Sequence, residues 1–288
     1  MKDGRVIVEN GRRAKAELTY MDEQNRPCQQ VRKAVSPTGK DMIYRTEYDE
    51  DSRTVRRWLP ISGEGAHPVE EETFRSMAME QYVDAKPYSS TGKEICSNGR
   101  TVCSGMAGET YQAHPTMIEY DVNSTDIPRF EITDNGIERD GAYAAGTLRT
   151  TKTTDPDGKQ NTVFTDVLGR KIVQRQGEDY DTYYLYDDMG RLRYVLPPAV
   201  SKQLNNMQAV RDSDLLLRQY AYIYRYDKCG NVTSKHIPGV EDIRMVYDEA
   251  GRMVLRQDGN QRGRGNYWTV IGYDMYGRAA DTDQVPTE

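Results

Sequence analysis

QYAYIYRYDKCGN, residues 219 to 231, places tyrosine on four alternate positions, Tyr220, Tyr222, Tyr224 and Tyr226. It then breaks at Asp227 and turns through Lys228, Cys229 and Gly230. Strand side chains alternate between faces with a period of two, so the spacing predicts a strand with all four rings on one face. A helix would scatter them. Asp favours the first position of a type I turn, and Gly favours the fourth, where positive φ is common. The stretch therefore predicts a hairpin, with NVTSKHI as the return strand.

The turn recurs. It reads DEQNR at Asp22, Asn25 and Arg26, DEDSR at Asp49 and Arg53, DVLGR at Asp166, Gly169 and Arg170, and DDMGR at Asp187, Gly190 and Arg191. It continues as DKCGN at Asp227 and Gly230, DEAGR at Asp248, Gly251 and Arg252, and DMYGR at Asp274, Gly277 and Arg278. Five of the seven are preceded by tyrosine: Tyr48, Tyr186, Tyr226, Tyr247 and Tyr273. The other two carry an aromatic one residue earlier, Tyr20 and Phe164. From Asp166 onward the turns are 21, 40, 21 and 26 residues apart, which is repeat spacing. The step of 40 reads as two units with one turn lost or replaced by an insertion. Asn25 suits positive φ next best after Gly, and Ser52 suits it poorly.

YDDMGRLRYVLPP, YDKCGNVTSKHIPG and YDEAGRMVLRQDG resemble the YD repeats of the Rhs (rearrangement hotspot) family, and the resemblance covers nearly the whole chain. AGTLRTTKTTDPDGKQNTVFTDVLGRKIVQRQ, PYSSTG near 88 and RQDGNQRGRG near 260 resemble its Bacteroidetes branch. The resemblance implies hairpins joined into a long sheet that spirals into a hollow shell, as in teneurins and the toxin-enclosing subunits of insecticidal toxin complexes. It also implies a longer chain. The partners would be flanking repeats and a variable C-terminal effector domain, and the location would be secreted or at the cell surface. The residues by themselves reach only repeated, Tyr-rich hairpins.

Composition agrees with a thin core. Leu, Ile, Val and Phe make up about 17% of the 288 residues, a level that raises the question of disorder. A net charge of only −6, with 21 Tyr, 12 Met and 2 Trp, answers it. Tyr outnumbers Phe 21 to 3, so most rings need a wet edge for the hydroxyl, which suits a sheet with solvent on both sides. A Tyr-rich β-sandwich is the competing fold. The basic residues are spread through the turns and form no stripe for nucleic acid. No apolar run is long enough for a spanning helix, and MKDGRVIVEN contains no signal region. The chain starts and stops without caps, so the sequence reads as an internal piece of an exported protein. Its apolar first strand RVIVEN and its tail AADTDQVPTE would then be sheet edges open to self-association.

The expected class is all-β with minor helical insertions: repeated antiparallel hairpins forming a curved sheet or partial shell. Residues 1–60 hold two repeat units, 61–146 an irregular segment with a helix near 69–83, and 147–288 the repeat sheet with a short helical insertion near 198–210. The first helix would bury Phe74, Met77, Ala78 and Tyr82, with three Glu near its start. In the second, Pro198 opens the helix and Val200, Leu204 and Met207 share a face. EYD at 119–121 reads as a degenerate repeat.

Nothing points to chemistry. His67, His114 and His236 read as surface or turn residues, without metal or nucleophile spacing. The repeated Asp residues share one local pattern, whereas a catalytic carboxylate pair needs two different environments. Asp155-Pro-Asp-Gly158 is another turn. Cys96 and Cys103 lack zinc-site spacing, and a disulfide between them is the alternative to free thiols. No enzyme activity, cofactor or metal is expected. Two functions remain: a structural segment of a shell that encloses an effector, and a carbohydrate-binding module that stacks sugars on tyrosine-rich faces.

Overall fold

In a computed structural model the described residues are 16–64, 67–94, 99–204 and 207–286. RVIVEN and Cys96 lie outside them. The fold is antiparallel β-sheet with five short helices among the described residues. It divides into two compact units. One runs to Glu119 and takes in Thr153–Lys159; the other comprises Tyr120–Lys152 and Gln160 onward.

In the first unit the strands Glu17–Met21, Pro27–Arg32 and Asp41–Tyr48 pair in sequence. The eight-residue strand Asp41–Tyr48 is long enough to pair with two strands along its other side. Thr54–Trp58 takes its C-terminal half and Ile61–Gly63 its N-terminal half. Tyr88–Lys93, Thr101–Gly105 and the start of Thr116–Val122 extend the ladder from Thr54–Trp58. One helix, Glu71–Tyr82, covers this sheet. Glu71 and Glu72 lie in its first turn, where the helix dipole favours them, and Val83 closes it in left-handed space. Phe74 and Ala78 are fully buried against Val31, Ile43, Trp58 and Ile61, and Phe74 meets the Trp58 ring edge-on at 6.2 Å. Met77 does not join them; it is 38% exposed. Tyr82 instead reaches back to the sheet, its hydroxyl donating to the Pro60 carbonyl at 2.6 Å.

The second unit is built on successive hairpins. Gln160–Thr165 with Lys171–Gln176, Tyr180–Tyr186 with Leu192–Leu196, and Tyr222–Tyr226 with Val232–His236 come first. Ile243–Tyr247 with Met253–Gln257 and Tyr267–Tyr273 with Ala279–Pro286 follow. Each return strand pairs with the outgoing strand of the next hairpin. A separate three-stranded sheet consists of Ile127–Thr133, Gly136–Tyr143 and Ala209–Arg211. The core gathers Ile127, Phe130 and Ile137 from this sheet with Val173, Tyr183, Tyr194 and Leu196 from the hairpins.

The 40-residue step holds no missing turn. Leu192–Leu196 pairs directly with Tyr222–Tyr226. The intervening chain leaves the far end of the hairpin as helix Pro198–Leu204, strand Ala209–Arg211 and helix Leu215–Tyr220. Val200, Leu204 and Leu217 fill the core. The first helix therefore stops short of the expected 210. Met207 lies beyond it, 44% exposed, and residues 209 and 210 are strand. Tyr220 belongs to a helix, so three tyrosines rather than four share the strand. Alternation alone could not separate the last helical residue from the first strand residue. EYD at 119–121 sits inside strand Thr116–Val122, not at a turn.

Candidate functional site: a clasp between successive hairpins

All seven Asp turns adopt one geometry. The Asp backbone N–H donates to the carbonyl of the fifth residue, at 2.9 Å for Asp22 to Arg26 and 3.0 Å for Asp248 to Arg252. The fourth residue closes a type I turn onto the Asp carbonyl, as Gly251 does at 3.0 Å. That fourth residue has positive φ throughout: 60° at Asn25, 63° at Ser52, and 74° to 89° at Gly169, Gly190, Gly230, Gly251 and Gly277. A one-residue bulge follows, because the pairing register skips Cys28, Val55, Ile172, Arg193, Thr233, Val254 and Ala280 in turn.

The Asp carboxylate organises the turn. In Asp187, Oδ1 accepts from the amides of Met189 at 3.1 Å and Arg191 at 2.8 Å, while Oδ2 accepts from Arg191 Nε at 2.8 Å. The same Arg contact is 2.7 Å at Arg26, Arg170 and Arg278. In the fifth unit Asn231 Nδ2 takes the place of the guanidinium at 2.9 Å. These bonds favour the ionised form, and all seven carboxyls sit below their ordinary value. At Asp22, Asp49, Asp248 and Asp274 the amide of the following Arg is the leading cause. At Asp227 it is the Asn231 side chain. At Asp166 and Asp187 burial opposes ionisation and is outweighed by the bonds from Arg170 and Arg191.

Two more turns have this form. Asp155–Lys159 repeats it, with Gly158 at φ 80° and Oδ1 accepting from Asp157 and Lys159. Ser36–Lys40 repeats it with a serine: Gly39 has φ 76°, and Ser36 Oγ accepts the Lys40 amide at 2.7 Å. The sequence SPTGK carried that signal; a search keyed on Asp passes over it.

Held by Asp, four of these Arg side chains offer their outer face to the next hairpin, and the tyrosine before the next Asp takes it. Arg26 lies over the Tyr48 ring at 4.7 Å, Arg170 over Tyr186 at 5.3 Å, Arg191 over Tyr226 at 4.9 Å and Arg252 over Tyr273 at 5.0 Å. The same tyrosines donate their hydroxyls to the carbonyl of the residue after that Arg. These bonds are Tyr48 to Pro27 at 3.1 Å, Tyr186 to Lys171 at 3.1 Å, Tyr226 to Leu192 at 2.6 Å and Tyr273 to Met253 at 2.8 Å. Arg26 and Arg191 complete the clasp by donating to the carbonyls of Asp49 and Asp227 at 3.1 and 2.9 Å. Where Asn231 replaces Arg the clasp is absent, and the Tyr247 hydroxyl turns to Met245 Sδ at 3.8 Å. Arg53 is followed by no Tyr-Asp turn and donates instead to the Glu94 carbonyl at 3.1 Å. Tyr20 and Phe164 precede the first turn of each hairpin series; Phe164 is in the core of the second unit, and Tyr20 packs against that of the first.

His236 is a correction to the sequence reading. It is 3% exposed, not at the surface. Its Nδ1 lies 2.8 Å from Asp242 Oδ1 and its Nε2 lies 2.8 Å from the Arg218 carbonyl. Burial opposes the Asp242 charge, but His236 and Arg218 hold the carboxyl below its ordinary value. Among the described residues no three His, Cys, Asp or Glu side chains converge as metal ligands. A cavity of about 740 Å³ in the first unit contains Glu47, whose carboxylate accepts from Trp58 Nε1 at 2.7 Å, Arg75 at 2.9 Å and Arg56 at 3.1 Å. Glu47, Arg56 and Arg75 are thereby paired with one another.

A family model described as a domain of unknown function (DUF6443) matches residues 4–124. No curated protein matches. Solved structures do. The crystal structure of TcdB2-TccC3-TEV aligns over 97% of this chain with a TM-score of 0.61 at 14% identity. That of TcdB2-TccC3-Cdc42 aligns over 95% with a TM-score of 0.60 at 14% identity. The Photorhabdus luminescens Tc holotoxin pore, with a mutated TccC3, aligns over 95% with a TM-score of 0.57 at 13% identity. The chain spans only 13%, 13% and 12% of those chains. The likeness is one of fold. The chain has the Rhs-like, YD-repeat β fold of these assemblies, and nothing in the comparisons singles out a Bacteroidetes branch.

Three outcomes follow from the turn and its clasp. Gly251→Val destabilises the protein by about 1–2 kcal/mol, because a β-branched residue is forced into left-handed space. Nothing lies closer than 3.7 Å to the new Cβ, so the cost is in the backbone, and an unchanged melting temperature contradicts it. Second, an Asp whose carboxyl is depressed by folding contributes stability above its unfolded value, and loses it as pH falls through the folded one. With seven such groups, stability holds at neutral pH and declines from about pH 3.8 downward, more steeply than in a variant with Asp187 and Asp248 both changed to Asn. Third, Asn231→Arg restores the missing clasp and stabilises by about 0.5–1 kcal/mol. The gain vanishes in a Tyr247→Ala background, as a double-mutant cycle reads directly.

Proposed function

We propose that this chain is a structural, non-catalytic segment of a YD-repeat shell, scaffolding or enclosing an effector carried by the same longer, secreted polypeptide. The observation that carries this reading is the clasp. At four junctions one hairpin offers an Arg forward and the next a Tyr backward, so these neighbours are bound to one another by contacts at the turn edge in addition to any core they share. After Ile223 the only buried side chains among the described residues are the polar His236 and Gln257. The last hairpins thus form a sheet without apolar cover, which suits a wall better than a globular domain. The TcdB2-TccC3 structures share the fold and are much longer, which fits a segment of a larger wall. No described helix is long and apolar enough to cross a membrane.

The carbohydrate-binding alternative loses ground for the same reason. Four of the rings it could use, Tyr48, Tyr186, Tyr226 and Tyr273, already stack on guanidinium groups and spend their hydroxyls on backbone carbonyls.

The test is to express the longer natural polypeptide and combine electron microscopy with limited proteolysis. A hollow particle whose effector domain resists protease until the wall is opened is the expected result. A solid particle, or an effector cut as fast as the free domain, refutes the proposal.

A further inference from the structure

His236 ends the return strand Val232–His236 with its imidazole sealed from solvent, the residue being 3% exposed. Both ring nitrogens are engaged. Nδ1 lies 2.8 Å from Asp242 Oδ1, and Nε2 lies 2.8 Å from the Arg218 carbonyl oxygen. A backbone carbonyl has no proton to give. Asp242 has none either: burial opposes its charge, but the bonds from His236 and Arg218 hold its carboxyl below the ordinary value. Two acceptors therefore face the two nitrogens, whereas a neutral imidazole carries a single N–H. Both contacts exist together only when the ring is the doubly protonated cation.

The charges around the ring act in both directions. From the loop before Ile243–Tyr247, the Asp242 carboxylate favours the cation. Glu241 beside it has a side chain 70% exposed and lies 3.7 Å from Arg262. From helix Leu215–Tyr220, the Arg218 guanidinium donates to the same Asp242 oxygen at 2.7 Å. From helix Gly259–Gly263, Arg262 donates to the Asp242 carbonyl. On the sheet, Arg225 and Arg244 stand on either side of Ser234, two residues before His236 on its face, and Arg225 is paired with Asp212. Lys235 points to the other face, over the Tyr224 ring. The guanidinium groups of Arg218 and Arg262 oppose the further positive charge that Asp242 favours. The second ring proton thus rests on one carboxylate that Arg218 shares.

Loss of that proton has a defined structural result. The remaining N–H stays with the charged acceptor, Asp242, because the bond to a carboxylate is the stronger one. Nε2 then turns a lone pair on the Arg218 carbonyl at 2.8 Å, and that contact has to open. It is the bond that fastens the backbone of helix Leu215–Tyr220 to the return strand. It lies at the far edge of the junction between Val232–His236 and Ile243–Tyr247, which has two backbone pairs and, with Asn231 in place of Arg, no clasp. Protons have a way in through the Asp242 side chain, which is 34% exposed.

We propose that His236 is a proton-operated latch: as the cation it fastens the insertion helix and the Asp242 loop to the sheet, and as the neutral ring it releases the Arg218 carbonyl and loosens this junction. The latch closes on acidification and opens as pH rises. The Asp turns respond in the opposite sense, since their bonds fail as pH falls. The latch is a property of the folded chain and is independent of the wall reading.

Two measurements on the whole 288-residue chain test it. NMR of the two ring nitrogens of His236 is followed between about pH 5 and 8, the span in which imidazoles change charge. At the acid end both nitrogens should carry protons, and toward the alkaline end Nε2 should lose its proton while Nδ1 keeps one. Hydrogen exchange, expressed as protection factors, is followed over the same span. The amides of Arg218 and Ala221, bonded within the insertion segment to Asp214 and Leu217, should lose about tenfold in protection as the ring titrates. Amides across the clasped junction of Lys171–Gln176 with Tyr180–Tyr186 should not change. In His236→Gln, whose side chain does not titrate, the protection at Arg218 and Ala221 should be the same at both ends of the span. A ring that stays neutral throughout, stays charged throughout, or titrates without any change at Arg218 and Ala221 overturns the proposal. Should His236→Gln fail to fold, the titration of the unaltered chain decides alone.

Discussion

An arginine that is held on one side and offered on the other is the contact on which this fold depends. Asp fixes the guanidinium through Nε, and in Arg191 and Arg252 through Nη2 as well, leaving its face and Nη1 to act on the next hairpin. An unheld Arg loses considerable side-chain freedom when it docks. Here the turn has already removed that freedom, so stacking by the next tyrosine is less costly. The order of residues in the motif thereby gains a reason. Asp, Gly and Arg serve their own turn, whereas the tyrosine beside them serves the turn before.

The placement of the clasp at the turn edge also explains the uneven spacing of the repeats. Hairpins must keep register where Arg meets Tyr, but their far ends are free to vary. The 40-residue step carries two helices and a strand there, and the 26-residue step carries helix Gly259–Gly263, capped reciprocally by Asp258 and Gln261. The clasp at Arg191 and Tyr226 is nevertheless as close as that at Arg252 and Tyr273. The insertions are put to use as well. Leu217 and Val200 cover the hairpins around Tyr194, whose buried hydroxyl donates to Asp212 at 2.7 Å.

What the sequence disclosed followed the range of the interaction. The turns were legible because their chemistry is complete within five residues, and helix Glu71–Tyr82 because its period and acidic start are local. The clasp was not. Tyr48 and Arg26 are 22 residues apart and Tyr226 and Arg191 are 35 apart, so no local window contains both. The tyrosines read as sheet packing with a wet hydroxyl, which is correct about the ring and silent about its partner. The helix Leu215–Tyr220 was hidden by the alternation that begins at its last residue, although Asp214 before three leucines is a start signal. His236 read as a surface or turn residue since its partners, Asp242 and the Arg218 carbonyl, come from other segments.

The junction at Asn231, which joins two Tyr-Asp hairpins without a clasp, shows what the contact supplies elsewhere. Asn231 satisfies Asp227 yet has no charge to offer Tyr247, and the strands there share only two backbone pairs, Ser234 with Arg244 and Lys235 with Ile243. Such a joint should be the weak point of the sheet. Its opposite end, however, is where the buried His236 sits, bonded to Asp242 just before the next strand and to the Arg218 carbonyl in the insertion helix. Arg218 donates to the same Asp242 carboxylate at 2.7 Å, and Arg262 reaches the Asp242 carbonyl. Four segments are tied at that point. A bond lost at the turn edge is thus offset by a polar network at the far edge. In a sheet with little apolar cover, the hairpins are joined by a limited set of directional contacts, and each junction needs one strong contact at one end or the other.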